Sequence, residues 1–280
     1  MSNHVAVVTD STASLPEQLR RQWGIASIQL QLQVGDHIDE ESRFDRSHLV
    51  EALSAGERVT TNPPDPGAFF WTYQDAVSAG ASAIVSLHIS QRMSATLQAA
   101  HEAAQQVQIP VYTVDSGTTG MSLGFAALSA ARAAAAGAPA ERVIDAAQRR
   151  FATSSELIYV DTLEYLRRGG RIGGATALLG TALSIKPLLT VRGGEVSPLS
   201  RAAGSRRAMA KLVDLAADRA GHLPTDLAIS CFRPTNRELM LVQQLRERVP
   251  NVRELSIVEA STVIGAHVGP GALSITVSPG

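Results

Sequence analysis

Val5-Ala6-Val7-Val8-Thr9-Asp10-Ser11-Thr12 is a short β-branched run that ends in an acid and two hydroxyls. The pattern returns at 83–89, which leads into Ser90-Gln91-Arg92-Met93-Ser94, and at 111–114, which leads into Asp115-Ser116-Gly117. Helical patterns lie between these strands. Asp45 can cap a helix running to about Leu53, Asp65-Pro66 opens another that stops near Gly80, and a third covers about 94–107. Upstream, Ser14-Leu15-Pro16-Glu17 reads as a capping-box helix start. Ile28, Leu30, Leu32 and Val34 alternate with Gln29, Gln31 and Gln33, the period of one strand with a solvated face. Ala-rich helices follow, broken at Gly137-Ala138-Pro139. Such alternation predicts a largely parallel sheet covered by helices, with ligands beyond the C-terminal ends of the strands. Asp10-Ser11-Thr12, 90–94 and Asp115-Ser116-Gly117 then share one rim.

After Phe151 the texture changes. A strand at 157–160 precedes a short amphipathic run, 162–168, and the Gly-rich 169–174. Stretches 185–191 and 196–201, separated by Gly193-Gly194, read as a β-hairpin. Helices from about Ser205 and Thr235 alternate with strands at 227–232 and 254–258, and a last strand, 272–277, follows the Gly-rich 265–271. The expectation is an α/β protein of two domains. Residues 1–152 form a largely parallel sheet with flanking helices, and residues 153–280 an α+β domain with a mixed or antiparallel sheet.

The chain has 280 residues, 45% apolar and 18% charged, with a net charge of −1. That balance argues against a nucleic-acid coat or a polybasic membrane-surface protein. It holds 42 alanines but only 12 aromatic residues, so its core is built from aliphatic and very small side chains. One cysteine, Cys231, excludes an internal disulfide and any multi-cysteine metal site, and its apolar neighbours 227–232 mark a buried thiol. Met1-Ser2-Asn3-His4 runs directly into Val5 without a signal-peptide pattern, and nowhere do 18 consecutive apolar residues occur. These features point to a soluble, cytoplasmic protein.

Gly120-Met121-Ser122-Leu123-Gly124 matches the nucleophile-elbow pattern of esterases, and His267 lies downstream as that order requires. The preceding strand ends near Asp115, however, which puts Ser122 inside a helix. A serine esterase using Ser122 and His267 is the rival reading. Asp10 lacks the second carboxylate of a phosphatase pair, neither lysine is flanked as a phosphate loop needs, and His88 in its apolar strand reads as a core side chain. No metal or cofactor is expected. What remains is hydroxyls near helix starts, above all Thr61 and Ser94. The plainer reading makes them helix caps. The other makes them donors to a small anion such as a carboxylate. Thr60-Thr61-Asn62-Pro63-Pro64-Asp65-Pro66 reads as a loop whose shape three prolines fix.

Taken together, the chain resembles the DegV family of fatty-acid-binding proteins over essentially its whole length. Val8-Thr9-Asp10-Ser11-Thr12 matches the family's strand and T-D-S-T. Thr61-Asn62-Pro63-Pro64 stands at its T-S-Q-P, and Met93 to Ala100 at its L-S-G-T-Y-Q-S-A. Val114-Asp115-Ser116 matches V-D-S. Leu166 to Ile172 resembles Y-L-K-K-G-G-R-I, Ile185 to Leu189 resembles I-K-P-I-L, and Ile264 to Gly271 matches I-G-x-H-x-G-P-G.

The resemblance implies a long-chain fatty acid enclosed between two domains. Thr61 and Ser94 would bond its carboxylate, Asn62 remaining a possible donor, with His267 nearby. It further implies the acyl-binding, non-catalytic subunit of a bacterial fatty-acid kinase, which presents the carboxylate to a separate ATP-binding protein. Arg167, Arg168, Arg171 and Arg201 would form a partner surface or simply a solvated basic face. Asp65 is expected to cap its helix, and Ala95 stands where the family has glycine. The many alanines would let helices line a narrow aliphatic tunnel. A small-molecule binder of the same fold with a polar ligand is the third reading.

Overall fold

A computed structural model describes residues 4–180 and 184–280. Met1-Ser2-Asn3, part of the N-terminal reading, lie outside the described residues. The first half runs β1 (Val5–Asp10), α1 (Glu17–Trp23), β2 (Ala26–Ile28), β3 (Gln31–Val34), β4 (His37–Glu40), α2 (Arg46–Ala55) and β5 (Val59–Asn62). It continues through α3 (Pro66–Ser78), β6 (Ala83–His88), α4 (Thr96–Ala104), β7 (Val111–Asp115), α5 (Gly120–Ala135) and α6 (Ala140–Thr153). The order β2-β1-β6-β7 makes an all-parallel sheet flanked by helices, as the alternation predicts.

Four local readings are corrected. The alternating run 28–34 is two strands in two sheets: the chain breaks at Gln29-Leu30, where the Leu30 N–H donates to Ser11 Oγ at 3.0 Å. The alternation itself persists, with Leu32 and Val34 buried and Gln31 and Gln33 partly exposed. Ser14 does not cap α1. It adopts φ 52° to close the turn Ser11–Ala13, and its Oγ accepts from the Ser261 N–H. Thr60, Thr61 and Asn62 are not loop residues; they belong to β5, which pairs antiparallel with β3 and completes the sheet β4-β3-β5. Finally, the alanines of α5 and α6 do not line a tunnel. Ala126, Ala127, Ala130, Ala131, Ala140 and Ala147 are buried together against β1 in a solid cluster.

The second half comprises β8 (Ser155–Tyr159), α7 (Glu164–Arg168), β9 (Ile185–Arg192), β10 (Glu195–Ala203), α8 (Ser205–Ala220), β11 (Thr225–Cys231), α9 (Asn236–Arg248), β12 (Val252–Glu259), α10 (Thr262–Val268) and β13 (Leu273–Pro279). The expected hairpin is β9–β10, and the six-stranded sheet β10-β9-β8-β13-β11-β12 is mixed, with β11–β12 parallel. One face buries Leu157, Tyr159, Ile229, Ile275 and Val277 with α8 and α9. Cys231 lies there too, and burial pushes its thiol up to about 11. Because side chains alternate along a strand, Glu156, Ser230, Ser274 and Thr276 fall on the other face, towards α5.

Helix α10 runs into the Gly-rich stretch 265–271, where the sequence pattern predicts no helix. Its start is held by the buried Glu41 carboxylate, which accepts from Ser261 Oγ, Thr262 Oγ1 and the Val263 N–H at 2.7, 2.9 and 3.1 Å. A carboxylate at a helix N-terminus satisfies orphan donors and favours the helix dipole. Gly265 is required by contact, since a Cβ there would lie 1.8 Å from the Phe232 ring. Arg150, at the end of α6, ties the two halves further by donating to Asp226 and to the carbonyls of Ser278 and Pro279. Among the described residues, no helix is long and apolar enough to cross a membrane.

Candidate functional site

Between β5, the loop before α4, α7, α10 and the β9–β10 hairpin lies a cavity of about 270 Å³. Leu30, Ile89, Ile158, Val191, Val196 and Ile264 give it an aliphatic wall. One part is polar: Thr61, Asn62, Ser94, Arg171 and His267 all line it. Four of these are the expected head-group residues, gathered from positions up to 206 apart. A narrow compartment of about 40 Å³ adjoins the cavity, sharing Thr119, Ile158, Ile264 and Val268 as wall residues.

The His267 Nε2 lies 2.8 Å from Thr61 Oγ1, while its Nδ1 is buried without a partner among the described residues. Burial, with a smaller push from the Arg171 charge, lowers the His267 pKa to about 4. The imidazole is therefore neutral at pH 7 and carries one N–H. Assigning that hydrogen to Nε2 avoids stranding a buried donor at Nδ1. The Nε2–H then donates to Thr61, leaving the threonine O–H free to donate to an anion. Gly169 makes this geometry possible, because a Cβ there would lie 2.1 Å from His267 Nδ1.

Ser94 stands just ahead of α4, where its Oγ accepts from the Thr96 N–H at 3.3 Å and meets the Thr96 hydroxyl at 2.8 Å. The N-cap itself is Ala95, so Ser94 supports the helix start from one residue outside it while lining the cavity. Thr61, in a strand, caps nothing. Ala95 holds φ −77°, a conformation open to any L-residue, so the family's glycine is not needed there. Asp65 accepts from the Gly67 N–H at 2.7 Å at the start of α3, as its capping role requires.

The expected rim is tied together by its acids. Asp10 Oδ2 accepts from the Ile89 N–H at 2.9 Å, and Asp115 Oδ1 from the Gln91 and Gly117 N–H groups at 3.2 and 3.0 Å. Behind it runs a fully buried chain that the sequence reading missed. Tyr73 donates to Ser86 at 2.9 Å, Ser86 meets His88 Nε2 at 2.7 Å, and His88 Nδ1 meets Asp10 at 3.0 Å. The order serine–histidine–acid resembles a hydrolase relay, but all three are sealed from solvent and no substrate can reach them. The chain fixes the 89–94 loop and hence Ser94.

The basic set separates. Arg167 and Arg168 are exposed and both bond Glu164; Arg201 is exposed on β10. Arg171 does not share that exposed surface. It is half-buried at the cavity, donating to the Met93 and Gly169 carbonyls at 3.0 and 2.9 Å. Ser122 is buried within α5 and its N–H donates to Glu156, while His267 is engaged by Thr61. The esterase pairing of Ser122 with His267 therefore has no support in the geometry. Among the described residues, no group of three or more His, Cys, Asp or Glu is placed to hold a metal ion.

A family model described as "Uncharacterised protein, DegV family" matches residues 4–280. The chain belongs to the DegV family. It is 45% identical over 279 residues to a DegV domain-containing protein of Streptomyces coelicolor, covering 99% of each chain. Among solved structures it is similar to a fatty-acid-binding DegV family protein of Thermus thermophilus, with 30% identity, TM-score 0.92 and 99% of each chain covered. It is also similar to DegV of Bacillus subtilis, described as a fatty acid binding protein, with 29% identity, TM-score 0.89 and 100% of each chain covered.

Proposed function

We propose that this DegV-family protein binds one long-chain fatty acid, such as palmitate, between two domains comprising residues 1–152 and 153–280. The observation that carries this reading is the aliphatic cavity whose polar part gathers Thr61, Asn62, Ser94 and His267. Burying a methylene is worth about 0.8 kcal/mol, so a 16-carbon tail supplies on the order of 10 kcal/mol before ordering costs. The carboxylate must keep its hydrogen bonds, because stripping them costs several kcal/mol. Thr61, freed to donate by His267, and Ser94 supply them, and the nearby Arg171 charge favours the anion. Held this way, the acid needs no nucleophile. The protein acts as a cytoplasmic lipid carrier without catalytic activity or cofactor of its own, and presents the carboxylate to a separate ATP-binding fatty-acid kinase subunit that docks on Arg167, Arg168 and Arg201. Arg171 would join that surface only from the cavity mouth.

Organic extraction of the purified protein followed by mass spectrometry is expected to release a long-chain fatty acid. Thr61→Ala and Ser94→Ala should each weaken binding of added palmitate by roughly 1–3 kcal/mol, the worth of a charge-assisted hydrogen bond. An empty extract together with no binding of palmitate or oleate would sink the reading.

A further inference from the structure

The narrow compartment beside the cavity is mostly apolar, yet hydroxyls line it. Its walls include Thr119, Glu156, Ser230 and Ser274. The pairings Ser230↔Ser274 and Ser274↔Ile158 set both serines in one row across the sheet, beside the isoleucine shared with the main cavity. Thr119 Oγ1 and Ser230 Oγ have no hydrogen-bond partner among the described residues, although their residues are only 9% and 4% exposed. Leaving a buried hydroxyl unpaired costs about 1–3 kcal/mol. Two such groups, Thr119 on the wall shared with the main cavity and Ser230 in the compartment itself, form a site that a matching ligand group would complete.

We infer that this compartment is a second polar subsite, and that it takes a hydroxyl carried on the acyl chain. The inference rests on the fatty-acid reading above. A hydroxyl both donates and accepts, so it can satisfy Thr119 and Ser230 together. A second carboxylate fits badly, since the compartment's lining residues include no Lys, Arg or His to pair with it. Glu156 Oε1 already accepts from the Ser122 N–H at 2.7 Å and Thr276 Oγ1 at 2.8 Å. Burial raises its pKa and so favours the neutral acid, which can itself donate.

The test uses the full chain stripped of bound lipid. Stearic acid is compared with 18-carbon acids bearing one hydroxyl at successive carbons, and with the 18-carbon α,ω-diacid. One hydroxyl position is expected to bind about 3–10-fold tighter than stearic acid, the worth of one hydrogen bond. Ser230→Ala and Thr119→Val should each erase that preference, and either suffices if the other fails to fold. If stearic acid binds and no hydroxy isomer binds better, the subsite is wrong while the fatty-acid reading stands. The same holds if the preference survives both substitutions or the diacid binds tightest. If no acid binds at all, both fail together.

Discussion

The seam between α5 and α6 and the wall of the cavity are both made of aliphatic side chains, but one is solid and the other encloses space. In the seam, alanines let two helices and β1 approach closely, and Ala126, Ala127 and Ala130 are wholly buried. In the cavity, larger side chains such as Ile158, Val191 and Val196 stand on the neighbouring strands β8, β9 and β10 of one sheet and border open space. Hydrogen-bonded struts fix the distance between its walls: Thr61 to His267, Arg171 to the Met93 carbonyl, and Glu156 to the Ser122 N–H. Small residues therefore remove space in this protein, and buried polar contacts preserve it.

Enlarging one residue in each region tests that contrast. Ala127→Leu inserts three carbons where nothing can yield, and should cost about 3 kcal/mol in a urea titration, the upper end for overpacking. Ile158→Phe grows into the cavity instead. It should change stability by less than about 1 kcal/mol while weakening palmitate binding at least tenfold, or about 1.4 kcal/mol. Equal stability losses in both variants would mean that the cavity is as tightly packed as the seam.

The same division governs what could be read from the sequence. Parallel strands and helix caps at Asp45 and Asp65 are local patterns, and they appear where expected. Short β5 was hidden because its four residues run into prolines and its partner strand is set by β3, far upstream. Helix α10 was hidden because glycine disfavours helices. The Phe232 contact that demands Gly265 and the Glu41 cap come from elsewhere in the chain. The pairing of Thr61 with His267 spans 206 residues, and no periodicity encodes it. Only the family motifs placed both residues at one site. Glu156 carries no signal at all, since it stands just ahead of the apolar run 157–160 and an acid there reads as solvated.

His267 in the cavity and Glu156 in the adjoining compartment should also respond to pH with opposite signs. His267 has its pKa lowered from 6.5 to about 4. Between those values the unfolded chain binds a proton that the native ring refuses, so stability is full above 6.5 and falls as pH drops towards 4. Allowing for the ring's partial exposure, the loss amounts to about 2 kcal/mol. His267→Gln should flatten this part of a stability–pH profile measured by denaturant titration, and an unchanged slope would remove the neutral buried imidazole from the account.

Glu156 works the other way, with a smaller expected effect. Burial is the main cause of its raised pKa, opposed by hydrogen bonds from Ser122, Thr276 and Ser274. A native acid that keeps its proton above the usual carboxylate range of 4.5 binds more protons there than the unfolded chain. Stability therefore declines as pH rises through that window, where the His267 contribution is growing or already complete. Glutamine copies the shape of the neutral acid and can still accept from the Ser122 N–H. Glu156→Gln should accordingly leave stability at pH 7 within about 1 kcal/mol of the native value, equal or higher, and remove the downward slope. A loss of several kcal/mol would instead identify a charged carboxylate that its three donors hold ionised. The compartment would then be an anionic site, and its contrast with the main cavity would be one of charge as well as position.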